Sequence, residues 1–389
     1  MKSKIKRRKF GNTGLYVSEL SFGSMNLRLL DSPEQAYELL DYVLDQGINL
    51  IDTAREYCKM NKDGYLMESE YFVGQAIEKR TGLDEPIVIV TKGHGYTLPE
   101  LDADLGTSLE KLKIRGKGNL KIGKNDIKLV YFLHGINEAR WESIKNSGVL
   151  DKLKELKSEG VINYIGFSSH YRNVKEIREA ADTGIFEVAE LPYNVFNRSL
   201  GEDGQINFLK YFNDKGIALI NMKAFGGNGM VPVMKILRDY VDIDYSVMLN
   251  FCLSNPYIST VDAGARYIHE FEADINTALA PRFDDSQLMK LKQDADKVSG
   301  LFQNICRECM HCLEKFSCPQ EIDFPGILSV YSRYNVNEKL GRSTSEFFEQ
   351  YRKFELNAEN CLECGECSKW CEYGLNIPVM LREAHNILK

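Results

Sequence analysis

Eight short apolar runs, each followed by a stretch with helical periodicity, limit what this chain can fold into more than any other feature. The runs are "LSFGS" (20–24), "INLIDT" (48–53), "PIVIVTK" (86–92), "IKLVYFLH" (127–134), "VINYIGFS" (161–168), "FEVAELP" (186–192), "GIALINM" (216–222) and "YISTVDA" (257–263). They are rich in Ile, Val and Leu, as strands buried on both faces are. The first helical stretch, "SPEQAYELLDYVLDQG", shows how the intervals read. Ser32 serves as N-cap, Pro33 takes the first helical position, Ala36, Leu40, Val43 and Leu44 form one stripe, and Gly47 stops the helix. Eight strands with intervening helices over the first 281 residues predict an α/β fold of the (β/α)8 barrel type. A doubly wound open sheet is the competing architecture, and no G-x-G-x-x-G follows an early strand to support it. Ahead of the first strand, "RRKFGNTGLYVSEL" reads as a hairpin with Asn12 to Gly14 at its turn, and Lys2 to Lys9 as a solvated arm. The segment 114–126, "IRGKGNLKIGKND", reads as an inserted surface loop. The stretch "CKMNKDGYLMES" (58–69) reads either as a lid over a substrate or as a solvated loop.

The alternation stops near Pro281, where we place a boundary between a barrel domain, 1–281, and a mainly helical domain, 282–389. The second domain holds eight of the chain's 10 Cys, whereas the first 280 residues hold only Cys58 and Cys252. A net charge of −7 without a polybasic domain argues against a nucleic-acid partner. No apolar stretch follows the basic N-terminus, so neither a leader peptide nor a membrane span is expected, and the chain reads as cytoplasmic. Clustered cysteines in a reducing compartment read as metal ligands before disulfides. Zinc prefers four ligands, often as paired C-x2-C, whereas iron–sulfur clusters take C-x2-C-x2-C triplets plus a remote cysteine. Both clusters here, "CRECMHCLEKFSC" (306–318) and "CLECGECSKWC" (361–371), carry the triplet.

This second domain resembles the bacterial-type dicluster ferredoxin domain. In such domains the fourth cysteine of each run ligates the other cluster. The resemblance therefore implies two 4Fe–4S clusters, one on Cys306, Cys309, Cys312 and Cys371 and one on Cys361, Cys364, Cys367 and Cys318. Two departures stand out: five residues rather than three precede Cys318, and Glu372 replaces the usual proline after Cys371. Neither removes a ligand.

In the barrel domain, polar residues fall where strands end, the place from which a barrel of this type points side chains into its active site. Asp52 ends the second run, Tyr57 follows in "DTAREY", Lys92 ends the third and His134 ends the fourth. Singly, each has a plain structural role, as a turn cap, a packing ring or a satisfied core imidazole. Together, and with "GNTGLYVSELSFGSM", "TKG", "LHG", "IGFSS" and "PYN", they resemble the aldo-keto reductase family over roughly residues 8–280. The resemblance implies an NAD(P)H-dependent reductase acting on a small-molecule carbonyl or alcohol. Tyr57 would be general acid, Lys92 the cation that eases its ionisation, Asp52 the carboxylate that keeps Lys92 charged, and His134 the group orienting the substrate.

The same resemblance implies a nicotinamide cofactor, NADP or NAD, across the barrel mouth. Ser168 and Ser169 would meet its carboxamide, and Glu190 stands where the family usually has Gln. Met222 stands in place of the usual stacking aromatic, and Lys223, Gly226 and Gly227 would meet the pyrophosphate. Arg266 is the basic residue available for a 2′-phosphate, but Glu270, Glu272 and Asp274 follow it and would repel one. A barrel reductase joined to a dicluster module resembles the ferredoxin-containing subgroup of the family. Such a chain could meet a ferredoxin or another electron carrier as partner. The rival reading is a redox sensor or electron-transfer protein that keeps the barrel as a cofactor-binding module.

Overall fold

The computed structural model describes every residue except 1–4, 84, 171–172, 228–229, 231–233, 235–236, 238–240, 303–304, 307–311, 314–315 and 372. The chain forms two compact units. One extends to Asn194 and takes in Arg198–Ala224 and Leu249–Phe283; the other comprises Val195–Asn197, Phe225–Met248 and Asp284–Lys389. The stretch Phe225–Met248, read from sequence as part of the barrel domain, thus belongs with the second unit.

The first unit opens with the expected hairpin, β1 (Arg7–Lys9) antiparallel to β2 (Tyr16–Ser18). The barrel strands follow as β3 (Leu20–Gly23) and β4 (Leu50–Asp52), separated by α1 (Pro33–Asp45). A second hairpin, β5 (Cys58–Met60) and β6 (Leu66–Glu68), leads into α2 (Ser69–Lys79). Then come β7 (Ile87–Gly93), α3 (Leu98–Lys111), β8 (Leu120–Ile122), β9 (Asn125–Ile136), α4 (Glu138–Asn146) and α5 (Val149–Ser158). The remaining turns of the barrel are β10 (Tyr164–Ser169), α6 (Val174–Asp182), β11 (Val188–Pro192), α7 (Phe208–Lys215), β12 (Ala218–Met222), α8 (Tyr245–Ser254, of which the part from Leu249 belongs to this unit), β13 (Thr260–Ala263) and α9 (Ile268–Leu279).

The strands β3, β4, β7, β9, β10, β11, β12 and β13 pair in parallel, and β13 returns to β3 to close the ring. This is the (β/α)8 barrel expected from the apolar runs. α1 begins as read: Ser32 accepts from the Gln35 N–H, Pro33 stands at the first position, and Ala36, Leu40, Val43 and Leu44 are buried. The barrel interior is packed by Leu50, Val88, Val130, Val188, Ala218 and Ile220, with Phe10 and Val17 of the N-terminal hairpin in the same cluster. Each such side chain contributes about 1.5–3 kcal/mol on full burial. Gly11, at φ +55°, lets the hairpin sit this close, since a Cβ there would lie 2.5 Å from the Ala218 nitrogen.

Two readings are corrected. Residues 114–126 are not simply a surface loop: β8 pairs antiparallel with the start of β9, burying Leu120 and Ile122. The apolar alternation there was masked by its glycines and lysines. The basic arm is not wholly solvated either, because Arg8 lies in β1 and pairs with the buried Glu19 at 2.9 Å. Glu19 also pairs with Arg282, so the hairpin and the end of the unit share one acid. Residues 58–69, read as a lid or a solvated loop, form the β5–β6 hairpin, with Met60, Tyr65 and Leu66 exposed.

The second unit contains α10 (Asp285–Ser299), α11 (Phe324–Lys339), α12 (Ser345–Tyr351), α13 (Glu366–Lys369) and α14 (Ile377–Leu388) among its described helices. Its core gathers Phe324, Ile327, Tyr351, Ile377 and Leu381 together with Cys367.

Candidate active site and cysteine cavity

Side chains alternate along a strand, so the residues two positions beyond the packed interior layer also point inward, at the mouth. Leu50 is followed in this way by Asp52, Val90 by Lys92, Phe132 by His134 and Val188 by Glu190. The structure brings these four together with Tyr57, from the loop after β4.

Lys92 is the centre of the arrangement. Its Nζ donates to both Asp52 oxygens, to the Thr53 carbonyl at 3.3 Å and to the Tyr57 hydroxyl at 3.5 Å. Glu190 Oε2 lies 3.4 Å from the same ammonium. Lys92, Asp52 and Glu190 are all buried, whereas Tyr57 and His134 are partly accessible. The His134 ring meets Tyr57 edge-on at 6.1 Å between centroids. On its other contact His134 stacks on His94, at 4.7 Å and 3° between planes, and His94 Nδ1 pairs with Glu56. Parallel rings share no common plane, so these two imidazoles cannot both aim a lone pair at one ion. The trio is therefore an imidazole stack tied by a carboxylate.

A third acid was missed in the sequence. Asp262 in β13 accepts from the Ser21 hydroxyl at 3.2 Å, and its carboxylate lies within 4.8 Å of those of Asp52 and Glu190. Gly23 makes room for it, since a Cβ at that position would stand 2.4 Å from Asp262 Oδ2. The signal was present: Asp262 ends its strand as Asp52 does. His94, two residues beyond Lys92 and so of the same strand parity, was legible by the same rule.

The electrostatics follow from three acids around one ammonium. Burial, then Glu190, raise the Asp52 pKa well above the usual carboxylate range, against the pull of Lys92. Burial works against the Lys92 charge, but Asp52, Glu190 and Tyr57 outweigh it and hold the ammonium firmly protonated. Asp262 is pushed up to about 7 by burial and by Glu190. Tyr57 was expected to be made more acidic by Lys92. The ammonium does act in that direction, yet burial and the neighbouring carboxylates win and raise the phenol above its ordinary value.

The expected cofactor residues divide. Ser168 Oγ accepts from the Gly135 N–H at 2.9 Å. Ser169 is committed to the barrel, donating to the Ile136 carbonyl at 2.8 Å and accepting from Asn173 at 3.1 Å. Glu190, expected at a carboxamide, faces Lys92. Met222 is partly exposed at the end of β12, and Lys223 has φ +57° with its carbonyl held by Asn194 at 3.0 Å. Gly226 and Gly227 lie in the second unit, both with positive φ. Arg266 is exposed, and its N–H donates to Glu270 at 2.7 Å. Past β3, the buried Asn26 Oδ1 has no partner among the described residues. Gly264 stands beside this amide, where a Cβ would come within 3.2 Å of Asn26 Nδ2. A ring bearing a carboxamide fits such an amide at the mouth.

In the second unit, Cys318, Cys361, Cys364 and Cys367 line one cavity, together with Phe316, Ile322 and Leu381. Backbone N–H groups point at sulfur: Glu363 donates to Cys361 Sγ and Leu375 to Cys371 Sγ, each at 3.4 Å. Cys306, Cys312 and Cys371 pack on the same core, and Cys309 lies outside the described residues. The described cysteines carry no disulfide.

Comparison with known proteins supplies the relationship. The chain is 27% identical to the uncharacterized oxidoreductase YqkF of Bacillus subtilis over 324 residues, covering 75% of this chain and 99% of that one. It is 27% identical over 238 residues to protein tas of Escherichia coli, covering 55% and 66% of the two chains. Among solved structures, the holo form of aldo-keto reductase AKR11C1 from Bacillus halodurans superposes with a TM-score of 0.60 at 24% identity, over 75% of this chain and 96% of that one, and shares the barrel fold. The sequence pattern of the aldo/keto reductase family matches residues 19–240, more than half of the chain. With the barrel and its mouth as described, this match makes the chain a member of the aldo/keto reductase family, an NAD(P)H-dependent oxidoreductase.

Proposed function

We propose that the chain interconverts a small carbonyl compound and its alcohol at the β4–β7–β9 mouth. The contact that carries this reading is Lys92 Nζ bridging Asp52 and, at 3.5 Å, the Tyr57 hydroxyl. When bound, a nicotinamide cofactor supplies or accepts the hydride. Tyr57 donates the proton to the carbonyl oxygen and takes it back in the reverse direction. Lys92 offsets the phenolate that forms, Asp52 fixes the ammonium, and the partly exposed His134 orients the oxygen by hydrogen bond. Asn26 and Ser168 would hold the carboxamide, with Met222 and Lys223 for the rest of the dinucleotide. A panel of carbonyls and alcohols followed at the nicotinamide absorbance tests it. Tyr57→Phe is expected to lower kcat/KM by about 10²–10⁴-fold. Undiminished turnover in that variant would remove the assigned mechanism.

A second reading concerns the domain 282–389. The cavity lined by Cys318, Cys361, Cys364 and Cys367 supports a 4Fe–4S cluster held by those four, and the N–H groups on Cys361 and Cys371 suit thiolate sulfur. A second cluster would use Cys306, Cys309, Cys312 and Cys371. Clusters there would supply one-electron chemistry to a ferredoxin or other carrier, and they suit a reducing cytoplasmic setting. Among the described residues no helix is long and apolar enough to cross a membrane.

A further inference from the structure

The mouth gathers three acidic side chains around the ammonium of Lys92. Asp52 from β4, Glu190 from β11 and Asp262 from β13 surround the one ammonium, with Ser21 of β3 bonded to Asp262 and Tyr57 facing Lys92. Where the family usually places a neutral glutamine, this chain has Glu190. The two redox forms of a nicotinamide ring differ by one unit of charge: the reduced ring is neutral and the oxidised ring is a cation. Hydride transfer brings the reacting carbons within about 3–3.5 Å. The oxygen on the substrate carbon must reach Tyr57, so the ring lies close to this cluster. The amide oxygen of Asn26, without a partner among the described residues and beside Gly264, gives that ring a polar partner past the end of β3.

We propose that these three carboxylates make the site hold the oxidised, cationic nicotinamide more tightly than the reduced one. The inference rests on the hydride-transfer reading above. One uncompensated carboxylate about 7 Å from the ring, at an effective dielectric of about 20, favours the cation by about 50-fold. The bound equilibrium then lies toward the alcohol and the oxidised cofactor, and release of the oxidised form is slow in the reducing direction. The preference weakens as pH falls and Asp262 takes up its proton, while Lys92 stays charged throughout.

The test is direct titration of the full-length protein with NAD+ and with NADH, and with the 2′-phosphorylated pair, without substrate. The expected ratio of dissociation constants, reduced over oxidised, is about 10–50 at pH 8. It should fall several-fold at pH 5 in the unmodified protein, and about ten-fold in Glu190→Gln and in Asp262→Asn at pH 8. Thermal melts establish that each variant is folded, and the pH series needs no variant at all. A ratio near one in the parent, or a ratio that pH and both variants leave unchanged, overturns the proposal. Binding of neither form would instead sink the hydride-transfer reading itself.

Discussion

Glu190 stands 3.4 Å from the Lys92 ammonium, so the cation that faces Tyr57 is shared between two buried acids, Asp52 and Glu190. This sharing links stability to catalysis. A lysine with one acid partner is a neutral pair; with two, and with Asp262 beside them, it becomes the group that makes the whole cluster tolerable in a buried site.

Lys92→Met should therefore damage both properties at once. Removing the ammonium strands buried carboxylates, which typically costs about 3–5 kcal/mol. It also removes the charge that offsets the Tyr57 phenolate, so kcat/KM should fall at least about 10²-fold. Urea unfolding and steady-state rates on the same preparation check this. A variant as stable as its parent would show that the acids are not held by Lys92.

Asp262 gives a dependence on pH with a defined direction. In an unfolded chain an aspartate titrates near about 3.9. In the fold Asp262 is pushed up to about 7, by burial first and then by Glu190. The native state thus keeps a proton that the unfolded state has already released, and this group lowers stability as pH rises from about 4 to 7. Asp262→Asn removes the penalty. The variant should be about 1–3 kcal/mol more stable than the parent at pH 8, with the gain vanishing toward pH 4. Denaturant unfolding across that range measures it, and a gain that does not grow with pH would contradict the assignment.

The choice between NAD and NADP turns on the start of α9. The Glu270 carboxylate accepts from the N–H groups of Arg266 and Tyr267, at 2.7 and 3.2 Å. Those donors at a helix N-terminus would otherwise suit a phosphate, and Glu270 both occupies them and repels one. NADH should therefore give the higher kcat/KM. Glu270→Gln keeps an accepting oxygen on the cap while removing the charge, and should narrow the gap by roughly three- to ten-fold. Kinetics with both cofactors decide the matter, and a parent that prefers NADPH would refute the reading.

Much of this was legible in the sequence because the barrel repeats one rule. Ile, Val and Leu runs marked each strand, and strand parity carried Asp52, Lys92, His134 and Glu190 to one mouth. What escaped did so for local reasons. Asp262 and His94 obey the same parity but were overshadowed by the motif around "DTAREY". Leu120 and Ile122 alternate as a strand should, yet sit among glycines and lysines that read as loop. The fate of the Glu190 carboxylate depends on a pairing across β7 and β11, which adjacent residues do not reveal. The direction of the Tyr57 shift depends on the sum over three acids, one of them unseen.

The cysteine cavity yields the last prediction. Cys361 and Cys364 line it with Cys318 and Cys367, and the Glu363 N–H already points at Cys361 Sγ. If each group of four holds one cluster, protein purified without oxygen should contain iron and acid-labile sulfide in equal amounts, with little zinc. Cys361→Ser, confined to one group, should lose about half of that iron. Cys58→Ser, in the barrel unit on β5, should lose none. Because Cys367 and the cavity wall belong to the core of the second unit, Cys361→Ser should also lower that unit's melting temperature, as expected when bound metal contributes folding energy. Zinc in place of iron, or equal iron in both variants, would dismiss the clusters while leaving the barrel chemistry untouched.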